Sequence, residues 1–452
     1  MKKHTLFITV TGFLLLVAIA ARANNDEPLA PSFLKPESVR FSLPALADEQ
    51  LKNAGAVSAA AEKIWQAYKS GAIALGWDQD LPALPPSLEA IQAMPVDQRP
   101  QEALGAFVDS GKEMPFYLLA KGARGTNGWP LFISMHGGGM DPDATGPHGS
   151  AMNDSEWQAQ VRLFGTIYPG GLYFLPRMAD DHDGRWWYAY VQAIYDRAIR
   201  RAILFRDVDP NRVYVMGISE GGYAGYRLGA HMADHWAGSC AMAAAEPMDT
   251  SPPENFRNLP FRCGIGELDS LYNRINLARN YFAKLDELKQ SDGAPAAYVH
   301  FFDEQKGNGH HINYQPGPLW IDDFVRNPWP TRVVWTVQPL NNVVRQQMYW
   351  LALDSVPQNM PLMLTARVEK NVVTITAEQN AGDHQRIAAA DLRLRVYLND
   401  TLANLDRPVK VVVNGKSVFD GIVKRTAATL ARSLNERGDP FFMFPAEIPV
   451  KL

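Results

Sequence analysis

The chain has 452 residues, 46% hydrophobic and 20% charged, with 44 Lys and Arg against 48 Asp and Glu for a formal net charge of −4. Such a composition, with 11 Trp, can bury a full core and excludes disordered, collagen-like and coiled-coil chains. Near balance of charge without basic clusters argues against nucleic acid as a partner, and the length points to two or three domains, since one core rarely grows past about 250–300 residues.

In chain order, Lys2 and Lys3 precede an apolar run from Leu6 to Ala21 that closes in Ala21-Arg22-Ala23, the pattern of a signal peptide over residues 1–23. Thr9, Thr11 and Gly12 and the short run weigh against a retained anchor. The expected product is secreted or periplasmic, with no stable membrane anchor. Loss of the three positive charges Lys2, Lys3 and Arg22 takes its net charge from −4 to −7. Residues 24–103 read as a partly helical N-terminal extension with one helix over 47–69. Over 104–343 short apolar runs alternate with amphipathic stretches. Strands are predicted at 116–120, 131–135, 172–175, 213–216, 238–243, 261–265 and 298–302, and helices at 187–204, 221–235 and 273–289. This is the pattern of an α/β domain with a doubly wound, mostly parallel sheet. Cys240 and Cys263 lie in two of the apolar runs and are expected as buried strand thiols, although an oxidising compartment leaves a bridge open.

After Asn327 the prolines Pro328, Pro330 and Pro339 surround a Val- and Trp-rich run that reads as a linker or crossing segment. Residues 344–452 read as a small β-rich accessory domain with strands at 368–376, 392–398, 409–413 and 418–423. Asn414-Gly415 forms a tight hairpin between the last two, and one helix is expected over 427–435.

Two motifs carry chemistry. Gly217-Ile218-Ser219-Glu220-Gly221 lies between a strand and a helix, the setting of a nucleophile elbow, in which the flanking glycines remove Cβ atoms that would collide and Ser219 projects its hydroxyl. His136-Gly137-Gly138-Gly139 closes the 131–135 strand, where consecutive glycines let the amides of Gly137 and Gly138, with that of Glu220, approach a developing oxyanion.

With these motifs the chain resembles the α/β-hydrolase superfamily, and more narrowly secreted esterases of the polyhydroxybutyrate-depolymerase and feruloyl-esterase type, over residues 104–327. The resemblance implies the order nucleophile, acid, histidine. The acid is then Asp269 in Gly266-Glu267-Leu268-Asp269, with Glu267 as a competitor and Asp249 as a remoter alternative. The general base is His310 in Gly307-Asn308-Gly309-His310-His311, with His311 as the alternative. His300 reads as a packed strand residue and His384 as a surface-loop residue.

The function so implied is an exported serine hydrolase that cleaves small-molecule or polymer-linked carboxylic esters through an acyl-enzyme, with no metal or organic cofactor. A prolyl-oligopeptidase-type serine peptidase is the alternative, opposed by the lack of a segment long enough for an N-terminal propeller; a hydrolase-fold binding protein without activity is another. Weaker signals remain. His231 and His235 have zinc-helix spacing, but Met232 stands where a zincin needs Glu, so they read as cations at a helix C-terminus. Asp180-Asp181-His182-Asp183 reads as a solvated loop rather than a calcium site. Trp186, Trp187 and Tyr272 are candidate substrate-pocket residues, with core packing the equal alternative for the two tryptophans, and Arg274 reads as an exposed helix start. The C-terminal domain leaves open a polysaccharide or protein contact, or a bracing role.

Overall fold

Apolar runs without a polar face become the interior of a sheet covered on both sides. In the computed structural model, which describes residues 30–41, 51–82, 104–167, 169–380, 386–389 and 392–451, these runs form one eight-stranded sheet. Its strands are β1 (Leu104–Asp109), β2 (Lys112–Lys121), β3 (Trp129–Met135), β4 (Gly171–Pro176), β5 (Val208–Ile218), β6 (Gly238–Met242), β7 (Phe261–Gly266) and β8 (His300–Gln305). Their order across the sheet is β1-β2-β4-β3-β5-β6-β7-β8. All pairs from β4 to β8 are parallel, and β1 and β2 add an antiparallel edge. The leader, residues 47–50 of the first predicted helix, and His384 lie outside the described residues. No helix among the described residues is long and apolar enough to cross a membrane.

The helices are α1 (Ala54–Ala74), α2 (Ala151–Ile167), α3 (Ala189–Phe205), α4 (Glu220–His231), α5 (Arg274–Asp292), α6 (Pro316–Ile321) and α7 (Ala427–Arg437). Along β5 the period of two sends Val213 and Val215 into the core on one face, and Tyr214 and Met216 into the core on the other. There Phe132 stacks between Tyr173 and Tyr214, with ring centroids 4.9 and 4.8 Å away. The same alternation explains the cysteines. Cys240 pairs in register with Arg262 and Cys263 with Ala241, so the two thiols fall on opposite faces, and both are free and buried. Burial pushes the Cys240 thiol up to about 11 and the Cys263 thiol up to about 12.

Elements of this domain that escaped sequence reading include β1 and α2. β1 is joined to β2 through Ser110-Gly111, both at positive φ, and α2 is too polar to show a clear apolar stripe.

The C-terminal region corrects three expectations. The 368–376 strand is instead a hairpin, β10 (Leu362–Glu369) and β11 (Val372–Asn380), because Lys370 and Asn371 adopt φ of 49° and 65° and reverse the chain. The supposed linker contains β9 (Arg332–Val337), which pairs antiparallel with β10 and buries Val333 and Trp335. Its prolines all lie outside the strand, where a missing amide does no harm. A boundary at residue 344 therefore cuts this module, and residues Pro31–Leu452 form one compact unit. The Asn414-Gly415 hairpin is present, with φ of 46° and 79°, and joins β12 (Val409–Val413) to β13 (Lys416–Gly421).

The N-terminal helix is tied to the other end of the chain. Ala60, Ile64, Tyr68 and Ala72, four residues apart on one face of α1, share a core with Leu430 and Leu434 of α7. Nearby, the Val39 amide donates to Asn435 Oδ1 at 3.0 Å.

Candidate active site

At the end of β5 the chain turns sharply into α4, and Ser219 at the turn has φ 54° and ψ −112°. That conformation costs about 1–3 kcal/mol for a non-glycine residue and persists only where its surroundings hold it. Here the Ser219 amide donates to Met242 O at 2.8 Å and the Gly221 amide to His136 O at 3.1 Å. A Cβ on Gly217 would lie 2.2 Å from Gly221 O, and one on Gly221 would lie 2.1 Å from Met135 O. Both glycines of the motif are therefore dictated by close backbone approach.

The glycine loop after β3 is held from below. Burial drives the His136 imidazole down to about 3, so the ring is neutral. Its Nε2 accepts from the Met178 amide at 3.0 Å, which assigns the proton to Nδ1, 2.6 Å from Gly137 O. Asn153 of α2 grips Gly139 at both ends: Oδ1 accepts from its amide and Nδ2 donates to its carbonyl, each at 2.9 Å. Asn153 also donates to Asp181 at 2.6 Å, and Asp181 is paired with Arg177. Burial opposes the Asp181 charge, but Arg177 and the Ser150 amide hold its carboxyl below the usual range. With the Gly139 amide engaged, the amides of Gly137 and Gly138 remain, together with that of Glu220, which as the first residue of α4 has no intrahelical acceptor.

Ser219 Oγ lies 2.9 Å from His310 Nε2, and His310 Nδ1 lies 2.7 Å from Asp269 Oδ2. Asp269 is buried and Ser219 and His310 are half-buried, so the hydroxyl end of this row is open to a ligand. The loops bearing Asp269 and His310 touch: the Leu268 amide donates to Asn308 O at 2.9 Å, and Glu267 accepts from the Gly307 amide and pairs with Lys306, both at 3.0 Å. Glu267 thus braces the histidine loop and does not compete for His310. Asp249 is exposed and away from this row, and His311 is exposed with its ring 6.2 Å from that of His310. The carboxyl of Glu220, raised by burial, pairs with Arg185 at 3.0 Å.

Several weaker readings are corrected. Trp186 is fully buried and lines no open pocket; its indole donates to His136 O at 3.0 Å and supports the glycine loop. Trp187 is buried under the Arg227 guanidinium, 4.1 Å from its ring centroid. Tyr272 is exposed and stands beside Arg274. Arg274 is not an exposed helix start. It is buried, donates to Asp269 Oδ1 at 3.1 Å and to the Tyr223 hydroxyl at 2.6 Å. The acidic run at 180–183 is not simply solvated, since Asp180 and Asp181 are buried and paired with Lys112 and Arg177. His231 and His235 are likewise buried rather than cations at an exposed helix end: desolvation lowers His231 to about 3 and lowers His235. Among the described residues no group of three or more His, Cys, Asp or Glu could hold a metal ion.

The strand order, the serine turn after β5, the acid after β7 and the histidine after β8 define the α/β-hydrolase fold. No family model matches the chain, and no curated protein matches it. Similar solved structures include a thermostable esterase at 19% identity and TM-score 0.34, covering 49% of this chain and 58% of that one. A ferulic acid esterase is similar at 12% identity and TM-score 0.34, covering 49% and 98%. A poly(3-hydroxybutyrate) depolymerase from Bordetella parapertussis is similar at 14% identity and TM-score 0.36, covering 50% and 91%. The chain therefore spans little more than half of the thermostable esterase it resembles.

Proposed function

We propose that the protein is a serine hydrolase that cleaves carboxylic esters through an acyl-enzyme. The observation that carries this reading is the continuous row Ser219 Oγ, His310, Asp269, with contacts of 2.9 and 2.7 Å, beside a glycine loop with free amides. In this mechanism His310 Nε2 takes the Ser219 proton as Oγ attacks the ester carbonyl carbon. Asp269 holds the ring and balances the imidazolium. The amides of Gly138 and Glu220, with Gly137 alongside, stabilise the oxyanion. Collapse of the tetrahedral intermediate expels the alcohol, which takes its proton from His310. Water, deprotonated by the same nitrogen, then attacks the acyl-enzyme and frees Ser219. The leader read from Lys2 to Ala23 supports a secreted or periplasmic site of action.

Labelling with a fluorophosphonate and assay against nitrophenyl esters and aminoacyl anilides test the proposal. Ester turnover and label on Ser219 are expected, with both lost in Ser219→Ala and kcat down by about a thousandfold or more. Unchanged turnover in Ser219→Ala overturns the assignment, and cleavage of anilides alone replaces the esterase by a peptidase.

A further inference from the structure

We infer that this site recognises esters carrying a positive charge close to the scissile bond, and that Glu156 binds that charge; the inference rests on the hydrolase reading above. Glu156 lies on α2, a helix fixed tightly against the sheet end. Trp157 donates to Leu175 O at 2.9 Å and stacks on Tyr117 at 4.6 Å, and Gln160 donates to Met135 O at 2.7 Å. The half-buried Glu156 carboxylate is thereby set against the glycine loop. Its Oε2 comes within 3.0 Å of the point where a Cβ on Gly137 would lie, and the Ser219 Cβ comes within 3.4 Å of the same point. The carboxylate and the nucleophile thus flank a single glycine.

The nearby cations are already engaged. Arg274 pairs with Asp269, Arg185 with Glu220, Arg227 with Glu246, and Arg177 with Asp181 and Asp154. Among the described residues Glu156 makes no ion pair and accepts no hydrogen bond, so it leaves one negative charge uncompensated beside the serine. Tyr314, four residues after His310, adds none. Burial raises its hydroxyl, the Ile312 backbone opposes this, and the charges of Glu156 and Asp269 raise it further. The phenol therefore stays neutral.

An uncompensated carboxylate next to an oxyanion loop works against the negative charge that develops there. A substrate that brings its own cation removes that penalty and gains an attraction. A neutral ester gains neither, and an anionic one adds repulsion.

The test compares the choline ester of a short-chain acid, the 3,3-dimethylbutyl ester of the same acid as its neutral isostere, a carboxylate-bearing ester and a glycerol ester. Each is assayed with the full protein and with Glu156→Gln, which keeps the shape and the acceptor oxygen but removes the charge. The wild type is expected to favour the choline ester over its isostere by about tenfold or more in kcat/KM, and raising the salt concentration lowers the preference. In Glu156→Gln the ratio is expected to fall to about threefold or less. Equal rates on the two esters, or a preference that survives Glu156→Gln, overturns the inference. So does a preference for the glycerol ester retained in the variant, which would mark hydroxyl recognition instead. If Ser219 takes a fluorophosphonate while the cation preference is absent, only the subsite fails; if it takes no label and no ester turns over, the hydrolase reading and the subsite fall together.

Discussion

Asp269 is held at both oxygens, by His310 at 2.7 Å and by Arg274 at 3.1 Å. The guanidinium also reaches the Tyr223 hydroxyl, one turn into the helix that begins beside Ser219, and so links the Asp269 loop to that helix. In the proposed mechanism Arg274 is a positioning residue that acts through Asp269. Arg274→Ala is expected to lower kcat about tenfold with KM nearly unchanged, the scale of one hydrogen bond to a charged group, and Arg274→Lys is expected to restore part of it. A rise in KM at constant kcat would place Arg274 in substrate binding instead. The candidate residues Ser219, Asp269 and His310 are legible because the chemistry demands these residue types and the resemblance to α/β hydrolases implies their order. Arg274 is not, because its inward turn depends on Tyr272 and Asn273 both taking left-handed backbone, with φ of 55° and 59°.

The elements that place the site do so by close packing of backbone. Gly221 stands where any side chain would enter the carbonyl of Met135 on the neighbouring strand, and a central strand cannot yield. Gly221→Ala is expected to destabilise by about 3 kcal/mol or more, read as a drop in the urea midpoint or loss of soluble protein. Gly309→Ala, with open space around its Cβ position, is the control and is expected to shift stability by about 0.5 kcal/mol or less. Equal effects would show that the elbow relaxes freely. At this scale the parallel strands β3 to β7 were legible from unbroken apolar runs. α2 was not, since Trp157 and Gln160 tie it to the sheet by hydrogen bonds and Val161 and Leu163 pack into the core without a clear apolar stripe, and with it Asn153 and Glu156 stayed out of sight. The 362–380 hairpin was misread because the apolar runs on its two sides merge across a two-residue turn.

At the scale of the whole molecule the C-terminal module is packed on the α/β domain through buried and half-buried charge. Arg345 pairs with Asp196 at 3.0 Å, Arg326 with Asp439 at 2.6 Å, and the Tyr349 amide donates to Asp234 at 2.9 Å. Removing one side of such a pair leaves the other buried and alone, which is strongly destabilising. Deletion from residue 344 onward also strips Arg332–Val337 of its strand partner. The truncated protein is expected to be insoluble or to lose most of its activity on a soluble ester, measured against the full chain. Retained solubility and activity would overturn the bracing role.

The sequence by itself determined the strand-rich α/β core, the serine turn and the glycine loop, because each depends on local geometry, and its resemblance to α/β hydrolases implied the order of acid and histidine. Only the tertiary structure decided what surrounds them. It set His310 rather than His311 in line with Ser219, turned Glu267 and Trp186 from candidate participants into braces, and joined the two ends of the chain in one core. Among the described residues it also left Glu156 without an ion-pair or hydrogen-bond partner, next to Ser219. Those outcomes rest on contacts between residues far apart in the chain, and spacing along the sequence holds no record of them.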